Sequence, residues 1–264
     1  MKKGKHYNGK ISNKKIIIFI IVLCISIIMI VSKLLNTSIF YNDELYKKIQ
    51  NDTSQIFENN DNNFKTERME NLENLQKQNS DIIGWLQIPN SNINYPVVQG
   101  EDNDFYMTHD YKKEYSKEGA LFLDKDYDWS LPSTNLLIYG HNNRGTNEMF
   151  SELINYKDED YYKNHKTIRF TTNQEDVEYE IISVFLSRVY YKSETNVFRY
   201  YYFINAENEQ EFNDYIQRSK AASLYDIDVS AEFGDQLLTL STCEFSQEDG
   251  RLAVVARKIS NKIK

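Results

Sequence analysis

The sequence predicts a mainly β domain, a barrel or sandwich with peripheral helices, preceded by one transmembrane helix. Three observations carry this reading. Between Ser80 and Lys258, eight short runs rich in β-branched and aromatic residues are separated by turn residues. Several alternate apolar and polar side chains, as in Tyr179-Glu180-Ile181-Ile182-Ser183-Val184-Phe185, which is the period of a half-buried strand. And Ile16 to Val31 is an unbroken run without charge, with six lysines and no acidic residue before it.

The apolar run comes first in the chain. Leu34-Leu35 extend it past Lys33, whose ammonium can snorkel to the headgroups, so the unit is roughly 20 residues long, enough to span a bilayer core. Lys2, Lys3, Lys5, Lys10, Lys14 and Lys15 place the N-terminus in the cytoplasm and everything after Leu35 outside. A cleaved signal peptide would need a shorter apolar stretch and a small-x-small site; Ser32-Lys33-Leu34-Leu35-Asn36 is a poor one, which favours an uncleaved anchor. The expected order is a basic tail over 1–15, a single-pass anchor over 16–35, a helical stalk over 36–79 and the main domain over 80–264.

In the stalk, Leu45, Ile49 and Ile56 lie at near-helical spacing, as do Met69, Leu72 and Leu75, with the polar stretch Glu58–Asn63 between the two sets. Two helices are expected, and a partly disordered spacer is the competing reading. Beyond them the expected strands are Gly84–Ile88, Ile93–Val98, Ala120–Leu123, Asn135–Tyr139, Thr167–Phe170, Val177–Ser187, Gln236–Thr242 and Leu252–Lys258. Helices are expected at Glu148–Ile154, Asp158–Asn164 and Asn208–Lys220, the last with Phe212, Tyr215 and Ile216 on one face. A domain of this length buries an ample core without disulfides.

Charge narrows the partners. Seven of the 31 basic residues and none of the 39 acidic ones lie in 1–35, so the rest carries 24 basic against 39 acidic residues, a formal charge of −15. A domain that acidic is a poor nucleic-acid binder. No His-Glu-x-x-His and no Cys-x-x-Cys suggests a metal, no Gly-rich phosphate loop is present, and no cofactor is expected.

Of the two cysteines, Cys24 lies in the apolar run and Cys243 ends the strand-like Gln236–Thr242. An exported domain with one unpaired thiol holds either an inert buried side chain or a reactive one. A cysteine nucleophile needs a helper, because its free pKa is about 8.5, and the usual helper is histidine. His109 and His165 sit in polar, surface-like contexts. His141 follows the apolar strand Leu136-Leu137-Ile138-Tyr139, and Gly140 lets the chain turn sharply there. Arg251 opens the last strand; if the two final strands form a hairpin, it returns beside Cys243. A fixed guanidinium fork suits an oxyanion. Taken singly, the three are a core cysteine, a turn histidine and a surface arginine.

Together they resemble a known family. Thr239-Leu240-Ser241-Thr242-Cys243 followed by Arg251, with Tyr139-Gly140-His141-Asn142 upstream, is similar to the active site of sortases of class B. Asp81–Pro89, Ile93–Gly100 and Asn103-Asp104-Phe105-Tyr106 agree with that class, and the resemblance covers roughly 71–258. It implies a closed eight-stranded β-barrel with an N-terminal helical extension and a helix-bearing insertion over roughly Ser187–Gln236. It also implies a surface cysteine transpeptidase, with Cys243 as nucleophile, His141 as general acid/base and Arg251 as oxyanion and substrate clamp. Asn103, Tyr139, Ser241 and Glu244 match positions lining the substrate groove; for Glu244 a solvated loop carboxylate is the competing reading. Asn142-Asn143 departs from the commoner residues after the histidine, which leaves that loop's shape open.

By the same resemblance the partners are secreted proteins with a C-terminal sorting motif, cleaved after threonine, and an amine of peptidoglycan precursor or a pilin lysine. Two other readings stand beside it: a peptidase of the same architecture that mainly hydrolyses its acyl-enzyme, and a membrane-tethered binding module without catalysis.

Overall fold

The computed structural model describes residues 25–27, 29–30, 61–131 and 133–259, the side chains of 61–67 excepted. The chain divides into two compact units, Met1–Gln55 and Ile56–Lys264. In the first, Ile25, Ser26, Ile27, Met29 and Ile30 are helical, with the four apolar side chains exposed. The basic tail, the rest of the apolar run and the first stalk helix lie outside the described residues. Among the described residues no helix is long and apolar enough to cross a membrane.

The second unit opens with helix α1, Asp61–Gln76. It corresponds to the second stalk helix but begins inside the polar stretch where a break was expected. Leu72 is buried, and Met69 and Leu75 are partly covered, as their spacing predicts. Arg68, also buried, docks the helix: its Nη2 donates to Gln87 Oε1 at 3.2 Å, and its Nη1 lies 3.6 Å from Asp176 Oδ1.

Eight strands follow: β1 Ile82–Gln87, β2 Asn94–Val98, β3 Leu121–Leu123, β4 Asn135–Tyr139, β5 Thr167–Thr171, β6 Asp176–Arg188, β7 Leu237–Cys243 and β8 Gly250–Lys258. Each coincides with an expected run to within two residues at either end. They close into a barrel in the order β1-β2-β3-β4-β7-β8-β6-β5, with β5 pairing back to β1. Of a barrel and a sandwich, the chain forms the barrel, and full closure leaves no sheet edge.

The strand pair that matters most is β4 and β7. They run parallel, with Leu136 opposite Leu238 and Tyr139 opposite Ser241, so both deliver their C-terminal ends to the same rim. Their continuous apolar runs are buried on both faces, as expected of strands covered outside as well as inside.

Part of that cover comes from the segment between β6 and β7. The short helix α2, Glu159–Asn164, lies earlier, between β4 and β5, and α3, Glu209–Ala221, lies in the β6–β7 insertion. Asn208 caps α3 by accepting the Glu211 N–H at 3.0 Å, and Phe212, Tyr215 and Ile216 face inward. Tyr215 and Thr239 share a hydrogen bond of 3.1 Å, which ties α3 to β7. The helix expected at Glu148–Ile154 is instead a 3₁₀ segment at Glu152–Lys157.

Candidate active site

The rim where β4 and β7 end is built by cross-links between backbone and small side chains. The Gly140 N–H donates to Ser241 O at 3.2 Å. Thr242 Oγ1 donates to Gly140 O at 2.7 Å, and Asn142 Nδ2 donates to Cys243 O at 2.9 Å. Both neighbours of His141 are therefore fastened to the residues that carry the thiol. The Phe150 N–H donates to His141 O at 2.9 Å and closes the loop behind it.

Gly140 is needed for a reason other than the sharp turn expected of it. A Cβ there would lie 2.4 Å from Leu121 Cδ2 and 2.7 Å from Phe150 Cδ2. The residue is small so that β4 can pass the packed side chains beneath it, and its φ is not among the positive ones. Asn142 also settles the shape of its loop, since the amide that departs from the commoner pattern clamps Cys243.

Cys243 and Arg251 are direct partners across the antiparallel β7–β8 ladder, as the hairpin reading expected. The Glu244 N–H donates to Gly250 O at 2.9 Å at the neck of the hairpin. A Cβ on Gly250 would sit 2.3 Å from Glu244 O, so only glycine permits that closure. Cys243 is a free thiol, half-buried. Arg251 Nη1 donates to Gly250 O at 2.9 Å and to Asp249 O at 3.3 Å. Its Nη2 and Nε have no protein acceptor among the described residues, so these donors are open.

His141 Nε2 lies 2.8 Å from Met107 O. A carbonyl only accepts, so Nε2 carries the proton and Nδ1 is the uncommitted nitrogen of the neutral ring. No hydrogen bond joins His141 to Cys243.

These groups line one cavity of about 240 Å³, together with Asn103, Tyr139 and Ser241 from the sequence reading. Met107, Val189 and Tyr201 supply part of its apolar wall. Ser241 is buried, and its hydroxyl pairs with Tyr200 OH at 2.7 Å. Burial pushes the Tyr200 phenol up to about 12, against the opposing effect of that hydrogen bond, so Tyr200 stays neutral. A wider, more polar groove of about 850 Å³, walled by Asp81, Glu101, Asp126 and Trp129 among others, is lined by neither cysteine nor histidine.

Glu244 is not brought into the cavity. Its carboxylate is buried; Oε1 accepts from Lys157 Nζ at 2.8 Å, and Oε2 accepts from the Ser246 N–H at 2.9 Å and the Ser246 hydroxyl. Burial alone would raise its pKa, but the Lys157 and Ser246 hydrogen bonds win and hold it at about 2. It is thus not a solvated loop carboxylate, and its oxygens are held by Lys157 and Ser246. His109 stacks on Phe105 at 4.0 Å and His165 on Tyr161 at 3.9 Å, outside the cavity.

Sequence reasoning gave no site role to Asp124, Asn142 or Tyr200. Asp124, buried just after β3, accepts from both Asn103 and Tyr139. Its one signal was an acidic residue directly after the apolar run Ala120–Leu123. Among the described residues, no group of three or more His, Cys, Asp or Glu side chains could hold a metal ion.

The sortase-domain family model matches residues 86–259. Sortase B of Listeria monocytogenes serovar 1/2a is 33% identical over 200 residues, covering 75% of this chain and 78% of that protein. The Staphylococcus aureus sortase B–substrate complex superposes with a TM-score of 0.66 at 28% identity, covering 82% of this chain and 94% of that one. A sortase B complexed with triglycine gives a TM-score of 0.70 at 28% identity, covering 83% and 97%. With a thiol, an imidazole and a guanidinium on one rim of the eight-stranded barrel these proteins share, the chain belongs to the sortase family, as a cysteine transpeptidase of class B.

Proposed function

We propose that the protein is a membrane-anchored transpeptidase that cuts a C-terminal sorting motif of secreted proteins after threonine and transfers the acyl group to an amine. The observation that carries this reading is the pairing of Cys243 with Arg251 across β7 and β8, at a cavity that His141 also lines.

The Cys243 thiolate attacks the threonine carbonyl and forms a C–S bond. Charge that develops on the carbonyl oxygen is offset by the Nε and Nη2 donors of Arg251. The C–N bond then breaks, and the imidazolium of His141 gives its proton to the leaving amine. With Nε2–H held by Met107 O, the transferable proton is the one on Nδ1. A thioester remains on Cys243. An incoming amine attacks it, His141 takes up the amine's proton, and the thiolate leaves. One amide bond replaces another, so no external energy source is needed.

The acceptor is an amine of peptidoglycan precursor or a pilin lysine. Two structural neighbours, a sortase B–substrate complex and a sortase B complexed with triglycine, support a peptide donor and an amine acceptor. Asn103 and Tyr139 line the donor groove. The lysines before the apolar run, and the exposed Ile25, Ile27, Met29 and Ile30 on a helix within it, support a single-pass anchor with the barrel outside the cell membrane.

Cys243→Ala should abolish cleavage and transfer while the thermal unfolding midpoint stays close to wild type. The test is mass spectrometry of a pentapeptide library with one threonine fixed, incubated with and without added amine. Transfer products that appear only with amine support a transpeptidase; hydrolysed peptide in both arms points to a peptidase. Cleavage that survives Cys243→Ala removes the thiol from the mechanism.

A further inference from the structure

Two residues of the groove, Asn103 and Tyr139, share an acceptor. Asn103 Nδ2 donates to Asp124 Oδ2 at 3.0 Å, and Tyr139 OH donates to the same oxygen at 2.9 Å. Asp124 Oδ1 accepts the Asp126 N–H at 2.9 Å, and Asn103 Oδ1 accepts the Lys125 N–H at 2.9 Å. Asp124 is 4% exposed and does not line the cavity itself.

These contacts fix more than position. A buried carboxylate must be met by donors. Asn103 therefore turns its NH₂ toward Asp124, and its carbonyl is occupied by Lys125, so the amide has one orientation only. Tyr139 spends its proton on Asp124. What remains for the cavity is the second Nδ2–H of Asn103, a donor, and the lone pairs of the Tyr139 oxygen, an acceptor. Tyr139 stays protonated, because burial first and the Asp124 charge second raise its pKa.

We infer that Asp124 is a positioning residue of the donor groove: its Oδ2 sets the hydrogen-bond polarity of Asn103 and Tyr139, so that the groove meets the sorting peptide with one N–H and one acceptor oxygen. The inference rests on the proposed transpeptidase reading and adds a residue to its specificity apparatus. An asparagine at 124 keeps the shape but exchanges an acceptor oxygen for an NH₂. Either the Oδ2 pair or the Asp126 N–H then loses its acceptor, and Asn103 and Tyr139 are free to reorient.

The test is the rate of cleavage of each member of the threonine-fixed pentapeptide library by the full-length protein in detergent. Asp124→Asn, Tyr139→Phe and the double variant are compared with wild type. Asp124→Asn should flatten the selectivity, lowering the ratio of best-cut to median peptide by about tenfold, the scale of one to two hydrogen bonds. Tyr139→Phe, which removes one hydroxyl and leaves the ring packing, should disfavour the same peptides. The double variant should be no worse than the poorer single one, because both act through one contact. The rate at which iodoacetamide alkylates Cys243 should not change.

Uniform slowing of all peptides with selectivity intact would mean Asp124 only stabilises the fold. Additive effects, or an unchanged profile in Tyr139→Phe, overturn the inference as well, and the second outcome does so even if Asp124→Asn fails to fold. In each of these cases the transpeptidase reading stands. A library that wild type leaves uncut overturns that reading and the inference with it.

Discussion

Arg251 and Cys243 need no loop to find each other, because the ladder register places them opposite one another. What the register does not decide is how the guanidinium points. Its Nη1 is spent on the carbonyls of Asp249 and Gly250, which anchors one corner of the fork. A lysine keeps the charge but has a single nitrogen to serve both these carbonyls and an oxyanion. Arg251→Lys should therefore lose roughly 10²-fold or more in acylation rate, in the range seen when an oxyanion donor is removed. Burst kinetics with a quenched peptide measure this; full activity in the variant would leave Arg251 with at most a distant electrostatic role. That Cys243, His141 and Arg251 would meet at one cavity was legible because each carries chemistry of its own type at one end of an apolar strand. Asp124, Asn142 and Tyr200 were not. Their importance lies in partners far off in the chain, such as Cys243 for Asn142, and an isolated acid, amide or phenol in a sequence carries no record of what it meets.

The elements were read more completely than the contacts. Eight strands stood out because β-branched runs between turn residues leave a local trace, and α3 because its cap and apolar face do the same. Two helical features were missed in their detail. Helix α1 starts at Asp61 because polar, acidic residues suit a helix N-terminus as well as a linker, and composition does not separate the two. The segment near Glu148 becomes a 3₁₀ turn four residues later, held down by buried Leu153 and Tyr156 rather than by helical periodicity. That turn ends at Lys157, whose ammonium reaches Glu244 in the neck of the β7–β8 hairpin. The folded Glu244 pKa of about 2 lies below the ordinary 4.5. Its contribution is thus fully present above about pH 4.5 and is lost as pH falls through about 2. Lys157→Met should cost about 1 kcal/mol or less at neutral pH, since the lysine is 41% exposed and screened by solvent. Urea unfolding at several pH values checks the sign: the gap between wild type and variant should narrow from pH 7 toward pH 2. A gap that stays constant would assign the lysine to packing alone.

At the scale of the whole molecule, the charge is divided along the chain. The segment before the apolar run holds six lysines and no acid, while everything after residue 35 carries a formal −15. Lysine excess ahead of an apolar helix retains that end in the cytoplasm, and long acidic domains cross regardless of their charge. The barrel holds its own core, with Leu86, Leu137, Ile181, Leu238 and Val254 fully buried, and so does not require lipid to fold. Under the proposed topology, tethering would act on encounter: a barrel held near the export site would meet sorting motifs at a high effective concentration. Protease added to intact protoplasts should degrade the chain beyond residue 35 and leave a short membrane-bound N-terminal fragment, seen by an N-terminal tag. Barrel protected until lysis would reverse the orientation, and a surface transpeptidase could not work from that side. Release of the whole chain from membranes by high salt alone would instead mean attachment through charge, with no spanning helix.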